Sequence, residues 1–148
     1  MADTTFLKNN VENHVRKWLS MQFPGHSFSK IYLNLKSGGK HEFDAVSEDS
    51  SIVAGIKTNS YKTKGGNNPS GKISNLYQEL YFLSLIESKN KLLIFTDAGL
   101  FRQFEKESNG KLADGIELIL CLLPSEIQSE VNKIQKIASD EQSKDGKT

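Results

Sequence analysis

The sequence predicts an α/β fold of three layers, with helices on both faces of a central mixed sheet. Two observations predict it. Hydrophobic periodicity indicates the element order α-β-β-β-α-β-α-β-α, and 36% of the 148 residues are hydrophobic, enough for one packed core. A meander of three strands followed by alternating strands and helices is typical of a mixed sheet that is covered on both sides. We expect one domain over residues 1–138 and a polar, frayed tail over residues 139–148.

The first predicted element is a helix over residues 6–22. Its apolar residues recur at i, i+4, i+7 and i+8, which is one stripe of a 3.6-residue period: Val11, Val15, Trp18 and Leu19. Pro24 and Gly25 end this helix.

Three predicted strands follow, over residues 30–35, 41–47 and 52–58. The first alternates apolar and polar residues, and a Ser-Gly-Gly turn at residues 37–39 separates it from the second. The third is rich in β-branched residues. Because side chains alternate along a strand, Val53, Gly55 and Lys57 share one face, and Ile52, Ala54 and Ile56 share the other.

Helices and strands alternate in the second half of the chain. A helix over residues 73–88 follows from the apolar stripe of Ile73, Leu76, Leu80 and Leu83. Residues 92–95 form an apolar strand, residues 99–107 a helix and residues 116–123 the last strand. Ser125 and Gln128 have the spacing of a capping box, which opens a final helix that reaches residue 138.

Composition excludes several classes of protein. Mean hydropathy is −0.47, and no apolar run approaches the roughly 18 residues of a membrane span. The first residues lack the basic and apolar stretches of a signal peptide, so we expect a cytoplasmic protein without a membrane partner. A single cysteine, Cys121, lies in an apolar run, and we interpret it as a buried structural thiol.

A basic, glycine-rich segment joins the third strand to the second helix. Residues 57–72 contain four lysines and no acid. In a nucleic-acid-binding protein, the lysines at positions 62, 64 and 72 would contact phosphates, and Tyr61 would stack on a base or ribose: the predicted contacts are Tyr61, Lys62, Lys64 and Lys72. The alternative is a solvated flexible loop.

Residues 66–72 also satisfy the phosphate-binding pattern G-x-x-x-x-G-K. That loop needs Ser or Thr after the lysine, whereas Ile73 stands there, and it needs a buried strand immediately before it, whereas residues 61–65 are polar. We therefore expect no nucleotide cofactor.

Asp44 and Lys57 are the residues with the clearest potential for chemistry. Asp44 lies near the start of the second strand, and Lys57 lies near the end of the third, so the two can meet where the strands diverge. A carboxylate beside a lysine can hold a divalent metal and a water that attacks phosphorus. The alternative is an ordinary surface salt bridge, worth about 0–1 kcal/mol.

The stretch from Glu42 to Val46, together with the stretch from Ile52 to Lys57, resembles the core of the PD-(D/E)XK nuclease superfamily, which includes restriction endonucleases and Holliday junction resolvases. The element order is similar to the α-β-β-β-α-β core of that superfamily. The resemblance implies a restriction endonuclease-like fold and a DNA endonuclease that uses Mg²⁺, with Mn²⁺ as a substitute. It places Asp44 on the metal-binding aspartate and Lys57 on the catalytic lysine. Glu12 is similar in placement to a metal-associated glutamate of the resolvase branch.

The sequence departs from this family at Gly55, where the family has Glu or Asp. Some members supply that acid from the following helix, and Glu79 lies at the edge of the buried stripe of the second helix, whereas Gln78 points away. We therefore predict Asp44, Glu79 and the carbonyl of Ile56 as metal ligands, and Glu12 as a further candidate. The alternatives are a boundary glutamate at position 79 and a solvated helix-face acid at position 12.

Loss of the acid at Gly55 also permits a second interpretation of function. The chain would then be a catalytically inactive module with a nuclease fold, which binds nucleic acid without cutting it. In either case the expected partner is DNA. The chain would act as a homodimer or as a subunit of a larger restriction or repair complex.

Overall fold

The computed structural model describes residues 4–60, 70–131 and 133. Four helices are α1 (Thr4–Gln22), α2 (Ser70–Ser84), α3 (Ala98–Glu107) and α4 (125–131). The five strands are β1 (Phe28–Asn34), β2 (Lys40–Ser47), β3 (Ile52–Lys57), β4 (Asn90–Phe95) and β5 (Ile116–Leu120). The predicted order of elements is confirmed over these ranges, and the predicted tail over 139–148 lies outside them.

The five strands form one mixed sheet in the order β1-β2-β3-β4-β5. The first two pairings are antiparallel, and β3–β4 and β4–β5 are parallel. Parallel neighbours need a crossover connection, which α2 and α3 supply. The expected α/β fold with a mixed sheet is therefore confirmed.

A separate hydrophobic cluster covers each face of the sheet. On one face α1 contributes Val11, Val15 and Leu19, which pack on Ile52, Ala54 and Ile56 of β3 together with Val131 of α4. On the other face α2 and α3 contribute Leu76, Leu80, Leu83, Leu100 and Phe104, which pack against Val53 and Leu93. The predicted alternation of β3 is thus confirmed, and the helices lie in layers on both sides of the sheet.

Two predicted elements, the second helix and the last strand, extend too far at their C-terminal ends. The second helix ends at Ser84 rather than near Ser88. Beyond Ser84, the N–H groups of Leu85 and Ile86 bond to carbonyls three residues back, and the Leu85 carbonyl accepts the Lys36 N–H at 2.8 Å. The last strand ends at Leu120 rather than at 123, although the Cys121 N–H still donates to the Phe95 carbonyl. Periodicity extends both elements because these flanking residues are also apolar.

An irregularity in the β1–β2 pairing sets the direction of the residues around Asp44. Ser29 pairs with Val46 and Ile31 pairs with Phe43, so β2 carries one residue more than β1 between these pairs. A bulge of this kind redirects side chains. Phe43 and Val46 consequently pack in the cluster under α2 and α3, whereas Ala45 packs in the cluster under α1.

Cys121 is fully buried and unpaired, as expected. Burial raises the pKa of its thiol to about 11. None of the described helices combines the length and the apolar character that a membrane crossing requires.

Candidate active site

Asp44 lies where β2 and β3 part. The two strands pair through Ala45–Ala54 and Val46–Val53. Beyond the Ala45–Ala54 pair, the Ile56 N–H donates to the side-chain Oδ2 of Asp44 at 2.8 Å. In an extended strand the N–H and C=O of one residue point the same way, so the Ile56 carbonyl also faces this opening. We call the opening beyond Ala45–Ala54 the fork.

Glu79 takes the space of the acid that position 55 lacks. A Cβ built on Gly55 would lie 2.8 Å from Glu79 Oε1 and 2.9 Å from Glu79 Cγ. Helix α2 packs its apolar stripe on the sheet, and Glu79, one residue before the buried Leu80, is itself only 9% exposed. The predicted position of Glu79 at the edge of the buried stripe therefore brings its carboxylate over β3.

Lys57 and His41 flank the Glu79 carboxylate. Lys57 Nζ lies 4.0 Å from Glu79 Oε2, and His41 Nε2 lies 3.5 Å from the same oxygen. These three residues line a cleft of 260 Å³, together with Lys72 and Phe82. Both Lys57 and His41 are partly accessible, so the cleft offers an ammonium and an imidazole beside one carboxylate.

Glu12 lies on the opposite face of the sheet and is 1% exposed. Its Oε1 accepts from Arg16 Nη2 at 3.2 Å, and Lys30 Nζ lies 3.9 Å from the same oxygen. Its Oε2 is buried without a hydrogen-bond partner, although Lys8 Nζ lies 3.9 Å away. Burial first, and the neighbouring Asp44 carboxylate second, raise the pKa of Glu12, against the lowering effect of nearby lysines and Arg16.

Arg16 connects this glutamate to the fork. Its Nε donates to the Asp44 carbonyl at 2.8 Å, while its Nη2 bonds Glu12. Sequence reasoning missed Arg16. Its spacing of four residues from Glu12 is the signal that could have found it, because residues at i and i+4 are neighbours on a helix.

The residues around the fork fit a divalent cation in their chemistry. Mg²⁺ prefers carboxylate and carbonyl oxygens, and Asp44, Glu79, Glu12 and the Ile56 carbonyl are such oxygens. Glu12 Oε2 accepts no hydrogen bond and has the Lys8 ammonium 3.9 Å away, and a cation between Glu12 and Asp44 would relieve the repulsion of the two carboxylates. However, Glu12, Asp44 and Glu79 do not bring one oxygen each within 4.8 Å of one another.

Within the described ranges, one group of three acids or histidines does meet that distance: His26, Glu48 and Asp49. It lies at the surface, away from the fork. Asp49 Oδ1 already accepts hydrogen bonds from Ser47 and Ser51, which lower the pKa of Asp49 to about 2. These hydrogen bonds give Asp49 a structural role in the turn between β2 and β3.

The predicted nucleic-acid contacts are only partly described. Lys72 lies at the cleft, and its Nζ donates to the Ser60 carbonyl at 2.6 Å. Tyr61, Lys62 and Lys64 lie outside the described residues, so their predicted contacts stay predictions.

Sequence reasoning also missed His41. The structure places it on the α2 side of β2, in contact with Glu79. The pairing that brings the two together joins a strand and a helix far apart in sequence, so no local spacing could have indicated it.

Comparison with protein-family models, with curated proteins and with solved structures finds no match for this chain. Its class therefore follows from its own structure. It is an α/β protein with one five-stranded mixed sheet, and acids from α1, β2 and α2 lie around the fork between β2 and β3.

Proposed function

We propose that this chain is a divalent-metal-dependent DNA endonuclease of the PD-(D/E)XK type, which hydrolyses phosphodiester bonds with an activated water. One observation carries the proposal: the Glu79 carboxylate occupies the space of a side chain at position 55 and lies beside Lys57. A glycine at position 55 has no side chain that could bind a metal. Instead, Gly55 leaves room for an acid that arrives from α2.

Oxygens of three residues would hold the metal. Asp44 keeps one carboxylate oxygen beyond the one that accepts the Ile56 N–H. Glu79 reaches the same strand from the α2 side, and the Ile56 carbonyl faces the fork. When bound, Mg²⁺ or Mn²⁺ lowers the pKa of a coordinated water and neutralises charge on the phosphate.

Lys57 orients the attacking water or stabilises the charge on the phosphate. Its Nζ is close to Glu79 but partly accessible, with 21% of its side chain exposed, so it can donate to a substrate oxygen at the mouth of the cleft. An ammonium held beside a reacting phosphodiester stabilises the negative charge that develops in the transition state. Lys57 is therefore the side chain whose removal should separate catalysis from binding.

DNA would approach the mouth of this cleft. Lys72 lies there, at the start of α2, and the basic segment that precedes it carries Lys62 and Lys64. Phosphate contacts of this kind supply affinity without sequence specificity. Two active sites are needed to cut both strands, which favours a homodimer or a larger nuclease complex.

The second candidate function is a nuclease-fold module that binds nucleic acid without cutting it. The observation that favours it is the separation of Glu12, Asp44 and Glu79, which do not gather three ligand oxygens within 4.8 Å. In this case Glu79 would be only the structural counter-ion of Lys57, beside His41. Binding would weaken steeply with salt and would not require a metal.

Cleavage of duplex, nicked, branched and single-stranded DNA, with Mg²⁺ and with Mn²⁺, tests the proposal. We expect metal-dependent cleavage that Lys57→Ala reduces by about 10²- to 10³-fold, the usual loss when one group that stabilises transition-state charge is removed. Lys111→Ala is the matched control, because Lys111 is exposed and pairs only with Glu107 among the ion pairs of the described residues. Binding of DNA without cleavage by the wild-type chain would favour the inactive module.

A swap of the acid between two elements tests Glu79 itself. Gly55→Glu alone would collide with Glu79, so the informative variant combines Gly55→Glu with Glu79→Ala. We expect Glu79→Ala to abolish cleavage and the double variant to recover part of it. A double variant that cuts where the wild-type chain does not would instead identify a decayed active site.

A further inference from the structure

The ring of His41 is held in one orientation by two aromatic neighbours. It stacks on Phe82, with ring centroids 3.9 Å apart and planes within 7°, and it meets Phe43 edge-on at 4.8 Å and 79°. Its backbone is held as well, because His41 pairs with Leu33 across the β1–β2 ladder. The ring therefore has a defined direction, and its Nε2 faces Glu79.

Both oxygens of the Glu79 carboxylate have defined surroundings. Oε2 lies 3.5 Å from His41 Nε2 and 4.0 Å from Lys57 Nζ, while Oε1 lies over Gly55. A glutamate that reaches the sheet from a helix has several rotatable bonds, and ordering them costs free energy. A contact that orders these bonds therefore favours the position of the carboxylate over Gly55.

We propose that His41 is a positioning residue that holds the Glu79 carboxylate over Gly55. The proposal deepens the proposed nuclease function and rests on it. His41 acts through Glu79 and does not itself contact the metal or the substrate. An N–H at Nε2, in the neutral or the charged ring, is the group that it presents to the carboxylate. Such partners of a ligand orient it and tune its affinity.

Two substitutions separate the effect of the Nε2 donor of His41 from the effect of its aromatic ring. His41→Phe keeps an aromatic ring on Phe82 and removes the Nε2 donor, whereas His41→Gln keeps a donor near that position and removes the ring. Free Mn²⁺, measured by electron paramagnetic resonance, reports metal binding without relying on cleavage. We expect His41→Phe to weaken Mn²⁺ binding by about tenfold, the usual range for loss of such a partner, and His41→Gln to recover part of it.

The same substitution in a Glu79→Gln background tests whether His41 acts through Glu79. If it does, His41→Phe causes no further loss of Mn²⁺ affinity or of kcat once the carboxylate is gone. A general structural role would instead lower both backgrounds equally. If the wild-type chain binds Mn²⁺, equal affinity of His41→Phe and wild type, or an undiminished effect in the Glu79→Gln background, would overturn the proposal.

If the wild-type chain binds no Mn²⁺, a metal-free measurement of stability tests whether His41 holds Glu79. Gly55→Ala places a methyl group against the held carboxylate and should lower the urea midpoint. In the His41→Phe background Glu79 keeps only Lys57 beside Oε2 and moves more easily, so the same Gly55→Ala change should lower the midpoint by less than half as much. An equal loss in both backgrounds shows that His41 does not hold Glu79. If His41→Phe reduces the effect of Gly55→Ala as expected but no DNA is cleaved, the nuclease proposal is overturned and the positioning role of His41 is not.

Discussion

Two glutamates approach the fork from opposite faces of one sheet, and their surroundings differ. Glu12 on α1 is fully buried, accepts no hydrogen bond at Oε2, and lies near the like charge of Asp44, so its pKa is raised. Glu79 on α2 has Lys57 and His41 beside one oxygen and Gly55 beneath the other. Both acids have basic side chains nearby, but Glu12 is confined by burial, whereas Glu79 fits into the space over Gly55.

This difference separates two ways of keeping an acid at a functional site. A buried carboxylate with a raised pKa costs stability, and such groups cluster at sites that bind or react. An acid whose place is prepared by a glycine costs little, but it depends on its neighbours for orientation. We therefore expect the α2 side to control catalysis and the α1 side to show its cost in stability.

The largest expected effect is on cleavage, where the two glutamates should separate. Glu79→Gln should lower kcat by about 10²- to 10³-fold. Glu12→Gln should lower it by only about tenfold, as for a residue that supports a ligand. Steady-state kinetics on one DNA substrate measures both, with Glu87→Gln as the control because Glu87 is 81% exposed and pairs with Lys36. Equal losses at positions 12 and 79 would remove the distinction between the two sides.

A smaller effect is expected at Gly55. Gly55→Ala should destabilise the chain by about 1–2 kcal/mol, because overpacking against Glu79 exceeds the gain from a less flexible unfolded chain. Urea unfolding measures this change. The same substitution in a Glu79→Ala background should be neutral or stabilising. A loss of stability that persists without Glu79 would mean that something other than this carboxylate occupies the space.

The smallest expected effect is a gain of stability at Glu12. Glu12→Gln should stabilise the metal-free chain at pH 7 by about 1 kcal/mol, because a buried charge beside Asp44 is removed while an oxygen remains for Arg16. The raised native pKa means that the native chain binds more protons than the unfolded chain above pH 4.5, the ordinary value. The wild-type chain therefore loses stability as pH rises through this range.

The gain from Glu12→Gln should consequently be complete above the native pKa of Glu12 and absent below pH 4.5. Urea unfolding in EDTA at several pH values, with Glu87→Gln alongside, measures it. A stability difference that does not change with pH would show that the Glu12 carboxylate is not destabilised by its surroundings.

Much of the fold was predictable because periodicity records which face of an element is buried. The alternation of β3 correctly separated Val53 from Ile52 and Ala54, and the α2 stripe placed Glu79 at its edge. The ends of α2 and β5 were wrong because apolar residues continue past them. Bonds to distant segments, such as Lys36 N–H to the Leu85 carbonyl, decide where the regular structure stops.

The sequence by itself determined the α/β class, the direction of each β3 side chain and the absence of an acid at position 55. These follow from local periodicity and residue type. Only the tertiary structure decided that Glu79 lies over Gly55, that His41 and Arg16 contact the two acids, and that Asp44 bonds the Ile56 N–H. Such contacts join elements far apart in the chain, and a single sequence without its packing does not specify distances between them.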